Sequence, residues 1–209
     1  MNTYRNRILK TCLFVLLLAW LLPGSNAVAG GADEPWLVGF DFLGNTVGDD
    51  EEDDGLAIEE GGAGGALQFG YLFTPSFLLR LYASGATHET DNPDVDILFS
   101  GGTIEAMYLF RPDQPFRPYL FGGLGAYSAE SQQGDFTYST SGPGVSFGGG
   151  MYYFFNPHVS LHASARLEAV NWDKATVTLD TPQGTLEAEI PVDDSGSAAK
   201  LTLGMGFWF

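Results

Sequence analysis

The sequence contains a single cysteine, and that residue lies close to the amino terminus. Cys12 sits inside an apolar run from Thr11 to Leu22. No disulfide can form within one chain, so the fold must depend on packing and hydrogen bonds. The apolar run is about a dozen residues long, short of the roughly 20 that a membrane-spanning helix requires. The two shortages exclude a disulfide scaffold and a helical span in this segment.

The surroundings of the apolar run are those of a targeting segment. Three basic residues precede it, a Pro-Gly pair ends it, and Ala27-Val28-Ala29 supplies the small-x-small pattern of a cleavage site. Because Cys12 is far from that site, a lipoprotein anchor is not expected. We predict a cleaved secretory signal peptide over residues 1–29 and a single domain over residues 30–209.

Positive charge is also scarce. The chain has nine Lys and Arg against 26 Asp and Glu, and three of the nine lie in the predicted signal, which leaves a formal net charge of −20. So acidic a protein is not expected to bind nucleic acid through phosphate contacts. The acidic residues are also clustered, above all in Asp49–Asp54 and Asp91–Asp96. A water-soluble domain spreads charge over its exposed strands, so strands with so little charge favour contact with lipid.

The sequence has no helical periodicity of useful length, but it has repeated alternation of apolar and small or polar residues. In the last segment Leu201, Leu203, Met205, Phe207 and Phe209 share one face, as the period of two of a β-strand requires. The fifth segment is apolar on both faces, so its inward side cannot be assigned. We predict eight strands, at about 36–43, 65–73, 77–84, 98–110, 117–127, 145–155, 159–168 and 200–209.

The lengths of the connections between strands alternate along the chain. Those after strands two, four and six are short, whereas those after one, three, five and seven are long and polar. Since antiparallel strands alternate in direction, all long loops lie at one end. Residues 128–144 are predicted to be one such loop. Within the longest connection, 171–197, a small hairpin is predicted that is either an extension of the barrel strands or a separate flap.

The predicted strands distribute aromatic and charged residues unevenly. Aromatic side chains crowd the short turns and predict a belt at one membrane interface; they are Tyr71, Phe73, Phe77, Tyr108, Phe110, Tyr153, Phe155, Phe207 and Phe209. The charges on the other face are predicted to point inward, where they must pair with one another; they are Asp41, Arg80, Glu105, His162, Arg166, Glu168 and Lys200. We expect Arg80 and Arg166 to pair with Glu105 and Glu168.

The signal, the alternating strands, the segment Arg117–Tyr127 and the terminal Phe209 together resemble the small outer-membrane barrel family of OmpA-like and porin-family proteins. The resemblance implies an all-β fold: an eight-stranded antiparallel up-and-down transmembrane barrel, with short periplasmic turns and long extracellular loops. It also implies that Phe207 and Phe209 are read by the barrel-assembly machinery. A lipocalin-like soluble barrel is the alternative, but it would expose charge outward.

The same resemblance implies a setting and partners. We expect a monomer in the outer membrane of a Gram-negative bacterium, in contact with outer-membrane lipid and lipopolysaccharide and delivered by periplasmic chaperones. The peptidoglycan-binding domain of full OmpA-type proteins has no counterpart in the sequence, so a cell-wall tether is not expected.

Two patterns suggest chemistry, but their context disfavours it. His162, Ser164 and Glu168 are similar in type to the catalytic groups of lipid A deacylase barrels, but His162 is predicted to point inward near the periplasmic end. Asp50–Gly55 has the glycine of a calcium loop, yet its twelfth position is Gly61 instead of an acid. No catalytic residue, metal or cofactor is therefore predicted. Three functions remain: a structural or surface-interaction barrel with a filled lumen, a narrow channel for small solutes or ions, and, least favoured, a lipid A-modifying enzyme.

Overall fold

The computed structural model describes residues 34–48, 58–90, 96–134, 136–181 and 184–209, which form eight antiparallel strands. The predicted signal peptide and the acidic segment Asp50–Gly55 lie outside the described residues. The strands are β1 (Trp36–Gly48), β2 (Ile58–Thr74), β3 (Phe77–Thr90), β4 (Asp96–Leu109), β5 (Phe116–Gln133), β6 (Phe136–Asn156), β7 (Val159–Thr181) and β8 (Gly184–Trp208).

The strands close into an up-and-down barrel. Each strand pairs with its neighbours in sequence, and β1 pairs with β8 in a register that sets Leu37 opposite Trp208. At the end of this seam the backbone N–H of Trp36 donates to the carbonyl of Phe209 at 2.9 Å, and the N–H of Phe209 donates to the carbonyl of Trp36 at 3.0 Å. Closure leaves no open strand edge in the barrel wall, as a bilayer demands of a spanning sheet.

The outer wall of the barrel is apolar. Alternate residues point out, and Phe42, Leu67 and Leu124 are each about 70% exposed (72%, 68% and 69%). The eight strands and the inward-outward alternation confirm the prediction of a lipid-facing barrel. Of the part of the chain that the structure describes, no segment is a helix long and apolar enough to cross a membrane.

Aromatic side chains ring the end of the barrel that carries the short turns. Tyr71 contacts Phe73 edge to face with ring centroids 4.9 Å apart, and Tyr108 contacts Phe110 in the same way at 4.9 Å. Phe207 and Phe209, the predicted insertion signal, lie on the outer wall at this end and are 43% and 55% exposed. The ring has the position of the periplasmic aromatic girdle of outer-membrane barrels.

The strands were predicted too short at the opposite end of the barrel. Residues 128–144 are not a loop: β5 continues to Gln133, and β6 begins at Phe136 after a tight turn. Gly134 occupies that turn with φ of 61°, a left-handed conformation that suits glycine. Polar composition misled the prediction, because strands above the membrane are solvated and need no apolar face.

Residues 171–197 likewise extend β7 and β8 and do not form a separate flap. β8 is 25 residues long, well beyond the roughly 9–11 residues that cross a bilayer. Register shifts between Ser141 and Gly144 of β6 and between Trp172 and Lys174 of β7 interrupt the strand pairing near the start of this extension. We call the described residues within 128–141 and 171–196 the extracellular sheet.

Candidate functional site

The structure settles the orientation of β5, which the sequence left open. Leu120 and Leu124 face outward, while Tyr119, Phe121 and Tyr127 are buried in the lumen. Arg117 is also buried, at 1% exposure. β5 therefore supplies a column of large inward side chains.

A layer of apolar side chains fills the periplasmic end of the lumen. Its members, which we call the basal plug, each have an exposed fraction of 6% or less: Leu37, Leu72, Leu78, Met107, Leu109, Tyr119, Phe121, Tyr152, Phe154 and Trp208. The guanidinium of Arg117 lies 4.2 Å from the ring centroid of Phe154, and its Nε donates to the carbonyl of Gln114 at 3.0 Å. The side chains occupy the cross-section of the barrel, as expected for eight strands.

Above the plug, Glu105 holds two arginines. Its Oε2 accepts hydrogen bonds from Arg80 Nε at 2.9 Å and Nη2 at 2.5 Å. Its Oε1 lies 2.5 Å from Arg166 Nη1 and accepts from Thr103 Oγ1 at 2.7 Å. Since Glu105 is fully buried (0% exposed), these contacts replace the water that its charge would otherwise need.

A second carboxylate continues the chain of charges toward the outer end. Glu168 Oε1 lies 3.5 Å from Arg166 Nη1, and Glu168 Oε2 lies 2.8 Å from Lys200 Nζ. Lys200 also donates to Ser84 Oγ at 3.0 Å. Arg80, Glu105, Arg166, Glu168 and Lys200 thus form one continuous ionic chain, which we call the lumen network.

His162, another of the predicted lumen residues, lies beside the lumen network. Its Nε2 contacts Asp41 Oδ1 and the side-chain nitrogen of Gln68, the latter at 2.8 Å. Gln68 in turn accepts from Arg80 Nη1 at 3.0 Å. Gln68 was missed in the sequence because an uncharged amide on a Gly-rich strand gives no signal of its own.

Ser164, the other half of the pattern that suggested deacylase chemistry, has a different partner. Its hydroxyl lies 2.6 Å from the hydroxyl of Thr202. His162 is 2% exposed, so a lipid substrate has no path to it in this conformation. In the described ranges between 34 and 209, no group of three or more His, Cys, Asp or Glu side chains is arranged to hold a metal ion.

Most of the positive charge that follows residue 29 lies in the lumen. Of the six Lys and Arg after residue 29, four lie inside the barrel at 2% exposure or less, namely Arg80, Arg117, Arg166 and Lys200. Their aromatic neighbours add cation–π contacts, the shortest being 3.9 Å from the Arg166 guanidinium to the ring of Tyr82. The outward surface is left with almost all of its charge negative.

An apolar wall around a closed antiparallel ring with a charged, packed interior defines a transmembrane β-barrel. The chain belongs to the outer membrane protein β-barrel domain family, whose model matches residues 14–207. The protein is thus an integral β-barrel of the bacterial outer membrane.

Solved structures of other outer-membrane barrels share this fold. Neisserial surface protein A is 17% identical, with a TM-score of 0.63 over 83% of this chain and 97% of its own. OprG from Pseudomonas aeruginosa is 16% identical, with a TM-score of 0.55 over 87% and 99%. Ail of Yersinia pestis is 16% identical, with a TM-score of 0.54 over 84% and 99%. At these identities the likeness establishes the fold alone. No curated protein matches the chain.

Proposed function

We propose that this protein is a closed, non-conducting barrel that serves the outer membrane as a structural and surface-interaction protein. The observation that carries the proposal is the basal plug. Phe154 and Tyr152 are fully buried and Trp208 is 2% exposed, so any water-filled path would have to cross a packed apolar layer. Such a layer is a barrier to ions, because an ion entering it would lose its hydration.

The charged interior supports the same conclusion. A conducting pore uses lumen charges to attract ions that then leave again. Here Glu105 is already engaged by two arginines and Glu168 by Lys200. Charges that neutralise one another at such short range stabilise the interior and leave little attraction for a passing ion.

A catalytic role is not proposed. Ser164 is hydrogen-bonded to Thr202, and His162 is held by Asp41 and Gln68. A nucleophilic mechanism needs serine and histidine to share a hydrogen bond within reach of substrate. The geometry of Ser164 and His162 offers neither, and we infer that surface interactions take place on the extracellular sheet.

Single-channel recording of the refolded mature protein in a planar bilayer tests the proposal. We expect no discrete steps from the wild type and measurable conductance from a Tyr152→Ala/Phe154→Ala variant, which removes two rings from the basal plug. A heat-dependent shift on an unboiled gel controls for folding of both proteins. Reproducible steps from the folded wild type would refute the closed barrel and favour the narrow channel instead.

The surface charge indicates what kind of partner the barrel suits. One solved structure of Ail contains the heparin analogue sucrose octasulfate, a polyanion. The present protein carries a formal net charge of −20 after residue 29 and holds most of its cations inside. We infer that its surface partners are cationic.

A further inference from the structure

In the residues that the structure describes, one strand of the extracellular sheet has an edge without a partner strand. β8 pairs with β1 only from Ser197, opposite Gly48, to Trp208. Beyond Ser197 the segment Leu186–Ile190 pairs with Leu179–Ala175 of β7 on one side. On its other side it meets no strand in the ranges that the structure describes. Unpaired N–H and C=O groups of such an edge are a template for a further strand.

The two faces of this edge differ in chemistry. Residues opposite one another on neighbouring strands share a face, so Leu186 lies beside Leu179, and Ile190 beside Ala175. The apolar face continues onto β6 through Phe136. Leu186 is 64% exposed, Ile190 52% and Phe136 55%. An apolar strip therefore runs up to the free edge and stops there uncovered.

The other face at the edge is acidic. Glu187 and Glu189 point to the side opposite Leu186 and Ile190, since successive side chains alternate. Glu189 lies 3.1 Å from Lys174, but both side chains are about half exposed (56% and 48%). An ion pair so exposed is worth little, so it leaves most of the negative field of the face in place.

We propose that Leu186–Ile190 of β8 binds an extended peptide segment by strand addition, and that this segment alternates apolar with basic residues. Backbone hydrogen bonds to the free edge supply affinity, and alternate side chains supply selectivity. The apolar residues of the peptide extend the strip that ends at Leu186 and Ile190. Its Lys or Arg residues lie across from Glu187 and Glu189. Pro191 has no N–H to offer, so it ends the uninterrupted edge.

Charge argues against two other occupants. In a second copy paired antiparallel about Ala188, Glu187 of each chain would lie opposite Glu189 of the other, and like charges directly opposite destabilise a sheet. Every residue of the segment Asp49–Asp54, which follows β1 in the sequence, is acidic. Its charge would therefore be repelled by this face. A cationic strand is the complement that remains.

Fluorescence anisotropy tests the proposal with a capped, labelled peptide of strictly alternating lysine and valine. The mature protein is held in nanodiscs of zwitterionic lipid, so that anionic lipid does not capture the peptide. Two peptides N-methylated at every second residue, one at the valines and one at the lysines, retain the side chains but each loses the N–H groups of one edge. A block peptide of the same composition retains charge without alternation.

Charge variants on one face of the sheet supply a matched pair. Glu187→Lys reverses a charge at the free edge, and Glu130→Lys makes the same change on β5, three strands away on the same face. We expect the alternating peptide to bind the wild type and Glu130→Lys alike, and to bind Glu187→Lys about tenfold more weakly. We also expect at least one N-methylated peptide and the block peptide to lose binding.

Several outcomes would overturn the proposal. Equal binding of the block peptide and of both N-methylated peptides would show plain charge attraction without strand pairing. Self-association through β8, seen by cross-linking, would make a second copy the occupant. Binding only after deletion of residues 49–57 would make that segment the occupant. Peptide binding at β8 rests on the proposed function, in which the extracellular sheet is the interaction surface. Conductance and peptide binding are measured separately, so the closed barrel and the peptide site can each be refuted without the other.

Discussion

Replacing Glu105 by glutamine keeps the shape of the side chain and removes the charge on which two buried arginines depend. Arg80 and Arg166 each lie 2.5 Å from a Glu105 oxygen, at 2% and 1% exposure. Removing one partner of a buried pair leaves an uncompensated charge, which costs about 3–5 kcal/mol. We therefore expect Glu105→Gln to lower the free energy of unfolding by about that amount.

Urea titration of the refolded protein in lipid vesicles, followed by tryptophan fluorescence, measures the change. Glu189→Gln is the matched control, because it makes the same chemical change at the exposed pair with Lys174, where we expect a loss below about 1 kcal/mol. Adding Arg80→Met to Glu105→Gln removes one stranded cation and should restore part of the stability. If Glu105→Gln and Glu189→Gln destabilise the barrel equally, the carboxylate of Glu105 does not stabilise the buried arginines of the lumen network.

Two further changes test the packing of the wall and its closure. Gly204→Ala would drive a methyl group into Asp41 and should abolish the gel shift of the folded barrel. The control is Gly102→Ala, whose methyl group would meet nothing within 4 Å and which should fold like the wild type. Equal folding of both variants would contradict the described packing. Deleting Phe209 removes its two backbone hydrogen bonds with Trp36 and should lower the yield of assembled barrel in outer-membrane fractions, and an unchanged yield would show that the last residue is dispensable.

The sequence predicted the barrel wall well, because a strand between lipid and a packed lumen must alternate. Leu201 and Leu203 face out and Lys200 and Thr202 face in for that reason alone. The alternation fails where both environments are apolar. β5 passes the basal plug, so Tyr119 inside and Leu120 outside look alike in sequence, and the burial of Arg117 went unnoticed.

The extent of the strands could not be predicted in the same way. Above the membrane both faces of β5 and β6 meet water, so Ser and Gln are as acceptable there as in a loop, and only the pairing of β5 with β6 and of β6 with β7 shows that they are strands. Register was equally hidden. Arg80 lies opposite Glu105, and Arg166 lies opposite Lys200. These pairings depend on the stagger of the closed barrel, which no single strand encodes.

The concentration of cations inside the barrel separates the protein into two electrostatic regimes that respond differently to salt. Dissolved ions screen exposed charges over about 10 Å at 0.1 M, but they do not enter a packed interior. Raising the ionic strength should therefore slow the arrival of a cationic partner at Glu187 and Glu189 while leaving the contacts of Glu105 intact. Changes in the salinity of the surroundings would then adjust what the cell surface attracts without loosening the barrel that displays it.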